Sequence, residues 1–344
     1  MRNVTLDNQS LITPLLISNE LTKGGIASSA PEIVKAQEIL DETLDDAEKK
    51  FRSSMNVDDI VGDTSRRLHE LRSSLDYDTW KNLIPIAQEH PVAEFFLQDP
   101  FTNWSFTKPR GYSGDAHLLD FIYEHPNVRS EVQKASSIGR KIYAYTKDAS
   151  SSIAVRERRD LLTRYIDEIA STRGKDTEIL TIAAGHLREA SRSNALRDKK
   201  IRRWIALDQD PLSVESIDRD FKATCVEAVE GSVRSLLRNA HGFGKFDFIY
   251  AAGLYDYLPD KVAVKLTQHC LNMLKPNGVF LFANFARDIM VDGYMEAFMN
   301  WALLLRTEID MSNIITASAT HGSAKSDVYF GNNRNIVYGV IKSC

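Results

Sequence analysis

Cysteine is scarce in this chain: Cys225, Cys270 and Cys344 are the only three in 344 residues, and none stands in a CxxC or cysteine–histidine ligand spacing. That argues against a disulfide framework, no metal set is indicated, and a reducing compartment, the cytoplasm, is expected. An excess of basic residues is missing too. Forty-three Lys and Arg against forty-seven Asp and Glu leave a formal charge of −4, which gives no electrostatic footprint for nucleic acid. The densest basic stretch, Arg197 to Arg203 (RDKKIRR), precedes an apolar run and reads as a solvated corner between helix and strand. Long apolar runs are absent as well. The one near the start, Leu11 to Ile17, is short and broken by Pro14, so neither a membrane-spanning helix nor a secretory signal is expected. No repeat of solenoid period is found.

What is present divides into two halves of different character. The length suffices for one large core plus an accessory domain. Residues 1–30 are rich in Ser, Thr, Asn and Gly without a sustained period, and a flexible tail is expected there. From Pro31, the residues Ile33, Val34, Ile39, Leu40, Leu44, Ala47 and Phe51 recur near helical spacing. Further helical patterns run from Asp63 to about Gln88, and an aromatic, turn-rich segment spans Phe95 to Tyr123. Residues 31–150 are therefore predicted to form an all-helical cap or lid domain.

Residues 151–344 alternate. After a helical run from Val155 to Ala170, strand-like runs lie at Ile179–Ala183, Trp204–Leu207, Thr224–Val229, Phe246–Tyr250 and Val279–Ala283. Helical patterns separate them, such as Val262, Leu266, Cys270, Leu271 and Leu274, introduced by Pro259. Nearly continuous apolar strands alternating with helices predict a parallel sheet covered on both faces. The end differs: Asp327–Phe330 and Ile336–Ile341 flank Gly331-Asn332-Asn333-Arg334-Asn335, a hairpin signal. The fold class predicted is α/β, with a Rossmann-like seven-stranded sheet, parallel except for a C-terminal antiparallel hairpin.

In such sheets ligands sit beyond the carboxyl ends of the central strands. The loop after the first strand reads Ala183-Ala184-Gly185-His186-Leu187-Arg188-Glu189. Ala184 and Gly185 let backbone approach a ligand, and a single glycine disfavours a pyrophosphate-bearing nicotinamide or flavin cofactor. The second strand ends in Asp208-Gln209-Asp210-Pro211. Asp208, with Gln209 beside it, is placed to accept hydrogen bonds from ribose hydroxyls, and Asp210 to cap the next helix. Gly231, Ser232 and Val233 follow the third strand, where adenine would lie. Ala252 and Gly253 follow the fourth and leave room for a sulfonium. Tyr255 and Tyr257 beside them suit either a cation or the core.

Several longer motifs accompany these: Gln98-Asp99-Pro100-Phe101, Lys108-Pro109-Arg110-Gly111-Tyr112, Gly114-Asp115, Gly231-Ser232-Val233-Arg234, Ala251-Ala252-Gly253-Leu254-Tyr255-Asp256-Tyr257-Leu258, Ala283-Asn284-Phe285 and Gly293-Tyr294-Met295-Glu296-Ala297-Phe298-Met299. Together, over about His90 to Val340, the chain resembles the bacterial family of extracellular-factor 3-hydroxypalmitic acid methyl ester biosynthesis proteins, within the class I methyltransferases. It departs at Ala183-Ala184, where members of that family more often carry a cysteine before the glycine.

The resemblance implies S-adenosyl-L-methionine as cofactor and methyl transfer to a carboxylate, fatty-acid-like or otherwise, or to a similar small nucleophile. Small-molecule N-methylation is the alternative, and a non-catalytic cofactor-binding protein the rival of another class. Tyr112 is then expected in a lid, binding the cofactor and aiding catalysis, with His186 and Tyr255 as further catalytic candidates. Arg188 is expected to pair with a carboxylate of the cofactor or acceptor. Asp115, Tyr257, Asn284 and Tyr294 are expected on the acceptor side, with Glu296, Phe298 and Trp301 near Tyr294. The expected partners are a small-molecule methyl acceptor and, among proteins, a second copy of the chain.

Overall fold

The computed structural model describes residues 14–23, 27–318 and 325–344. The chain divides into two compact units, and among the described residues one comprises Pro14–Ile153 with Asp288–Ala302, the other Ala154–Arg287 with Leu303–Cys344. Of the tail expected over residues 1–30, positions 1–13 and 24–26 lie outside the described residues, and Pro14–Leu21 is helical.

The first unit is helical. Its long members are Ala30–Arg52, Val57–Ser73 and Tyr77–Glu89. Local signals set their starts: Asn56 accepts from the Asp58 N–H at 2.9 Å and Asp76 from the Thr79 N–H at 3.1 Å. Their apolar stripes converge on buried Leu40, Leu44, Leu68, Leu71 and Trp80. The aromatic, turn-rich segment resolves into short helices, including Pro100–Thr107 and Ala116–Ile122. The segment Asp288–Ala302 completes this unit with the helix Asp292–Phe298. There the buried Glu296 accepts from Trp80 Nε1 (2.6 Å) and from Arg72 Nη2 (2.7 Å), and Asp292 lies 2.8 Å from His69 Nδ1.

The second unit is built on one seven-stranded sheet. Its strands are β1 (Thr177–Ile182), β2 (Ile201–Asp208), β3 (Val226–Glu230), β4 (Phe246–Ala251), β5 (Leu274–Phe285), β6 (Lys325–Phe330) and β7 (Ile336–Lys342). The order is β3-β2-β1-β4-β5-β7-β6. Neighbours from β3 to β5 run parallel, while β7 is antiparallel to both β5 and β6. This is a Rossmann-like seven-stranded sheet, parallel but for its C-terminal antiparallel hairpin, as the strand pattern predicts.

Every residue of β1 and β4 is buried. Successive side chains point to opposite faces, so both faces of the centre are covered. Strand order reverses direction between β1 and β4. In open α/β sheets the crevice at that reversal, outside the carboxyl ends of the strands, is where ligands bind.

Candidate functional site

The loop leaving β1 is wound through alternate left-handed residues: Ala183 at φ 56°, Gly185 at φ 56° and Leu187 at φ 50°. For a non-glycine residue that conformation costs about 1–2 kcal/mol, and backbone strain of this kind collects at ligand sites. Two neighbouring contacts hold the loop in place. The Ala184 N–H donates to the Leu207 carbonyl at 3.0 Å, and the Gly185 N–H donates to Asp208 Oδ2 at 2.7 Å. The first glycine of the expected site and the expected ribose ligand are thus in direct contact.

Asp208 is buried at the end of β2, and its Oδ1 also accepts from the Asp210 N–H at 2.8 Å. Asp210 serves as the cap of the helix Pro211–Phe221, accepting from the Leu212 N–H at 2.9 Å and the Ser213 hydroxyl at 3.1 Å. Asp210 thus holds the capping position, while Asp208 faces the loop after β1. Gln209 between them is half-buried.

The turn after β3 is drawn against β2, with the Gly231 N–H donating to the Asp208 carbonyl at 2.8 Å. A Cβ on Gly231 would stand 2.6 Å from Leu207 Cδ1 and 2.7 Å from His241 Nε2, so any side chain there would have to displace both. Ser232 caps the short helix Val233–Leu237 through the Ser235 N–H at 3.2 Å, and Val233 is buried in the core. After β4, Ala252 and Gly253 are half-buried. Gly185, Asp208, Gly231 and Gly253 therefore gather at the carboxyl ends of β1, β2, β3 and β4.

Other expected residues are committed elsewhere. The Tyr255 ring is fully buried against Phe282, and its hydroxyl lies 2.8 Å from the Thr267 hydroxyl. Burial pushes that phenol well above its ordinary pKa. Its place is the core, the bland side of the alternative that its aromatic character left open. Asn284 is equally internal: its amide donates to the carbonyls of Phe285 (2.9 Å) and Leu304 (2.8 Å), and its oxygen accepts from Arg306 at 2.6 Å. Arg306 in turn donates to the Tyr255 carbonyl at 2.6 Å and pairs with Asp260 at 2.9 Å. Asn284 thus ties the end of β5 to the returning chain.

Arg188 is buried with its Nη1 3.3 Å from Asp220 and its Nη2 3.1 Å from His186 Nδ1. Its guanidinium and the His186 ring are directed at each other. Tyr257 is half-buried.

Within the first unit, Asp115 is the N-cap of Ala116–Ile122, accepting from the His117 and Leu118 N–H groups at 2.8 and 3.0 Å and from Trp104 Nε1 at 2.9 Å. Tyr112 is half-buried in the preceding turn, between Gly111 at φ 84° and Gly114 at φ 72°. Tyr294 is buried, with its hydroxyl 3.1 Å from that of Thr102 and its ring against Phe96 and Phe298. Its neighbours Glu296 and Phe298 are buried in the same unit. For Asp115 and Tyr294 these contacts supply a structural explanation of their residue types.

Three charged residues near the strand ends carry no role in the sequence reading. Glu189 is buried, accepts the Tyr250 hydroxyl at 2.6 Å, and burial raises its pKa. Asp256 is buried and accepts the Phe285 N–H at 2.6 Å, and burial pushes it up to about 6. The third is Arg158, on the helix Ser150–Arg173. Glu189 and Asp256 lie within motifs visible in the sequence. Arg158 sits in the run Arg156-Glu157-Arg158-Arg159-Asp160, where composition gives no sign of which cation turns inward.

Asp256 gives a test by pH. A carboxyl raised in the fold favours folding below its unfolded pKa of about 3.9 and loses that contribution as pH climbs through about 6. Asp256→Asn keeps an oxygen to accept the Phe285 N–H and removes the titration. The ligand-free wild type should therefore lose up to about 2–3 kcal/mol relative to the variant between pH 4 and 7. Denaturant midpoints across that range measure it; parallel curves for the two proteins would contradict the assignment.

No family model matches this chain, and no curated protein is found similar to it. Among solved structures, a possible exported protein from Bordetella parapertussis matches with a TM-score of 0.54 at 13% identity, covering 92% of this chain and 99% of the other. That likeness is one of fold. The N-methyltransferase NodS from Bradyrhizobium japonicum, in complex with S-adenosyl-L-homocysteine, matches at a TM-score of 0.40 and 15% identity, covering 63% of this chain and 98% of the other. Magnesium protoporphyrin IX methyltransferase from Synechocystis, also with bound S-adenosylhomocysteine, matches at 0.42 and 8% identity, covering 58% and 87%.

Proposed function

We propose that the second unit binds S-adenosylmethionine at the carboxyl ends of β1 to β4 and that the protein transfers its methyl group to a carboxylate of a small molecule. The observation that carries the cofactor reading is the Asp208 carboxylate at the end of β2, seated on the Gly185 N–H of a glycine-bearing, left-handed loop. A carboxylate has about four acceptor sites, the chemistry that ribose hydroxyls require, and Asp208 presents one at the end of β2. Gly231 keeps the adjoining turn free of a side chain. The lone glycine of the β1 loop suits a nucleoside without phosphates better than a dinucleotide.

Bound there, the cofactor supplies a methyl group on a sulfonium that needs little further activation. The protein's part is then to orient the acceptor in line and to exclude water. A carboxylate acceptor is ionised at neutral pH and needs no proton acceptor, whereas an amine or hydroxyl does. The engagement of His186 with Arg188 and of the Tyr255 hydroxyl with Thr267 favours the acceptor that needs no base. The resemblance in sequence points the same way. The free thiols of Cys225 and Cys270 fit a reducing compartment, and no helix among the described residues is long and apolar enough to cross a membrane.

The test is turnover with methyl-labelled S-adenosylmethionine and a panel of fatty, hydroxy and amino acids. Label released as methanol by mild base marks a methyl ester and supports the reading. Base-stable label on an amine assigns the N-methylation alternative. Binding without turnover on any member of the panel leaves a cofactor-binding protein. Tyr112 enters this reading on the sequence alone: Tyr112→Ala should lower turnover far more than melting temperature, and retention of activity by Tyr112→Phe would exclude a role for the hydroxyl. Full activity of Tyr112→Ala would remove the residue from the mechanism.

A further inference from the structure

A buried guanidinium without a matched anion is costly. Arginine does not deprotonate in proteins, so it cannot escape burial by neutralising, and an uncompensated internal charge is strongly destabilising. Arg158 is buried with carboxylates in electrostatic range but with one terminal nitrogen bonded to none of them. It is only 4% exposed, and its Nη1 has no hydrogen-bond partner among the described residues.

Its surroundings are the switch point of the sheet. A Cβ built on Gly253, just past β4, would meet Arg158 Nη2 at 3.8 Å, and Gly253 presents no side chain of its own toward that guanidinium. Glu189, from the loop after β1, and Asp256, from the turn after β4, both lie within electrostatic range of Arg158. Neither is dedicated to it. Glu189 takes the Tyr250 hydroxyl and Asp256 the Phe285 N–H, and burial holds both carboxyls above their ordinary range. Arg188, the arginine that the sequence suggests for a carboxylate, is instead turned to Asp220 and His186.

We infer that Arg158 is a carboxylate-binding residue of the ligand crevice between β1 and β4. A guanidinium meets a carboxylate with two parallel N–H donors, and one of its two terminal nitrogens carries no bond in the protein. This inference rests on the S-adenosylmethionine reading, in which two carboxylates can reach the crevice: that of the cofactor's methionine portion and that of the acceptor.

Titration calorimetry on the full chain separates the sources. The ligands are S-adenosylhomocysteine, then 5′-methylthioadenosine, which lacks the amino-acid portion, and then octanoate added to protein saturated with S-adenosylhomocysteine. Arg158→Leu should bind S-adenosylhomocysteine about ten- to a hundredfold more weakly while leaving methylthioadenosine unchanged, if the cofactor supplies the carboxylate. A loss confined to octanoate assigns the acceptor's carboxylate instead. Equal losses for S-adenosylhomocysteine and methylthioadenosine, or no change with any ligand, overturn the proposal. If Arg158→Leu does not melt cooperatively, Arg158→Lys keeps the charge but not the paired donors, and should show the same selectivity with a smaller loss. Wild-type binding of S-adenosylhomocysteine is the control: its absence defeats the S-adenosylmethionine reading itself, and this inference with it.

Discussion

Gly185→Val should abolish S-adenosylmethionine binding while a thermal melt still shows one cooperative transition. Gly185 sits at φ 56°, a left-handed conformation that a β-branched residue rarely adopts. Forcing valine there costs about 1–3 kcal/mol locally, and the loop can relieve the strain only by rotating the 185 peptide. That peptide's N–H is the one donated to Asp208 at 2.7 Å, so relief and ligand geometry are incompatible. The added side chain also fills the surface along which the backbone is proposed to approach the cofactor. Gly185 itself is only half-buried, and the strands β1, β4 and β5 form the unit's core independently of it, which is why the melt should survive. Normal binding by the variant would mean that the β1 loop is not part of the site.

Asp208→Ala should weaken the same binding about ten- to a hundredfold, since a lost charge-assisted hydrogen bond costs about 1.5–3 kcal/mol. Alanine also strands the Gly185 and Asp210 N–H groups that the carboxylate now receives, so part of the loss reflects loop disorder. Asp208→Asn separates the two contributions. Its single amide oxygen accepts one of those N–H groups but cannot serve both ribose hydroxyls, and an intermediate affinity is expected. Unchanged affinity in the asparagine variant, measured by calorimetry, would remove the carboxylate from ribose recognition.

The sequence disclosed the sheet well because its strands are short apolar runs bounded by turn residues. Phe246–Tyr250 becomes β4 (Phe246–Ala251), and the hairpin around Gly331 to Asn335 becomes β6 and β7. The limits of β5 were hidden. It begins at Leu274, ahead of Pro276-Asn277-Gly278, which reads as a turn; a register irregularity against β4 lets the strand run through. The capping role of Asp210 was also legible, because a proline at the first helical position marks the residue before it as the cap.

Long-range partners were not legible. Nothing in the string Ala283-Asn284-Phe285 announces that Asn284 will be claimed by Arg306 from beyond the following segment. Nothing near Tyr255 announces the Thr267 hydroxyl one helix away. Asp288–Ala302 packs with the helical unit although the sequence on either side belongs to the sheet, and no periodicity reports such an excursion. Arg158 was lost for a related reason. On a helix dense in charge, the inward cation is distinguished by burial, which composition does not encode.

The central claim is that the crevice at the carboxyl ends of β1 to β4 is a site for S-adenosylmethionine. Calorimetric titration of the wild-type chain with S-adenosylhomocysteine, with NAD as a parallel ligand, tests it most directly. The account predicts saturable one-to-one binding of S-adenosylhomocysteine and none of NAD. No binding of S-adenosylhomocysteine, or tighter binding of NAD, would contradict it.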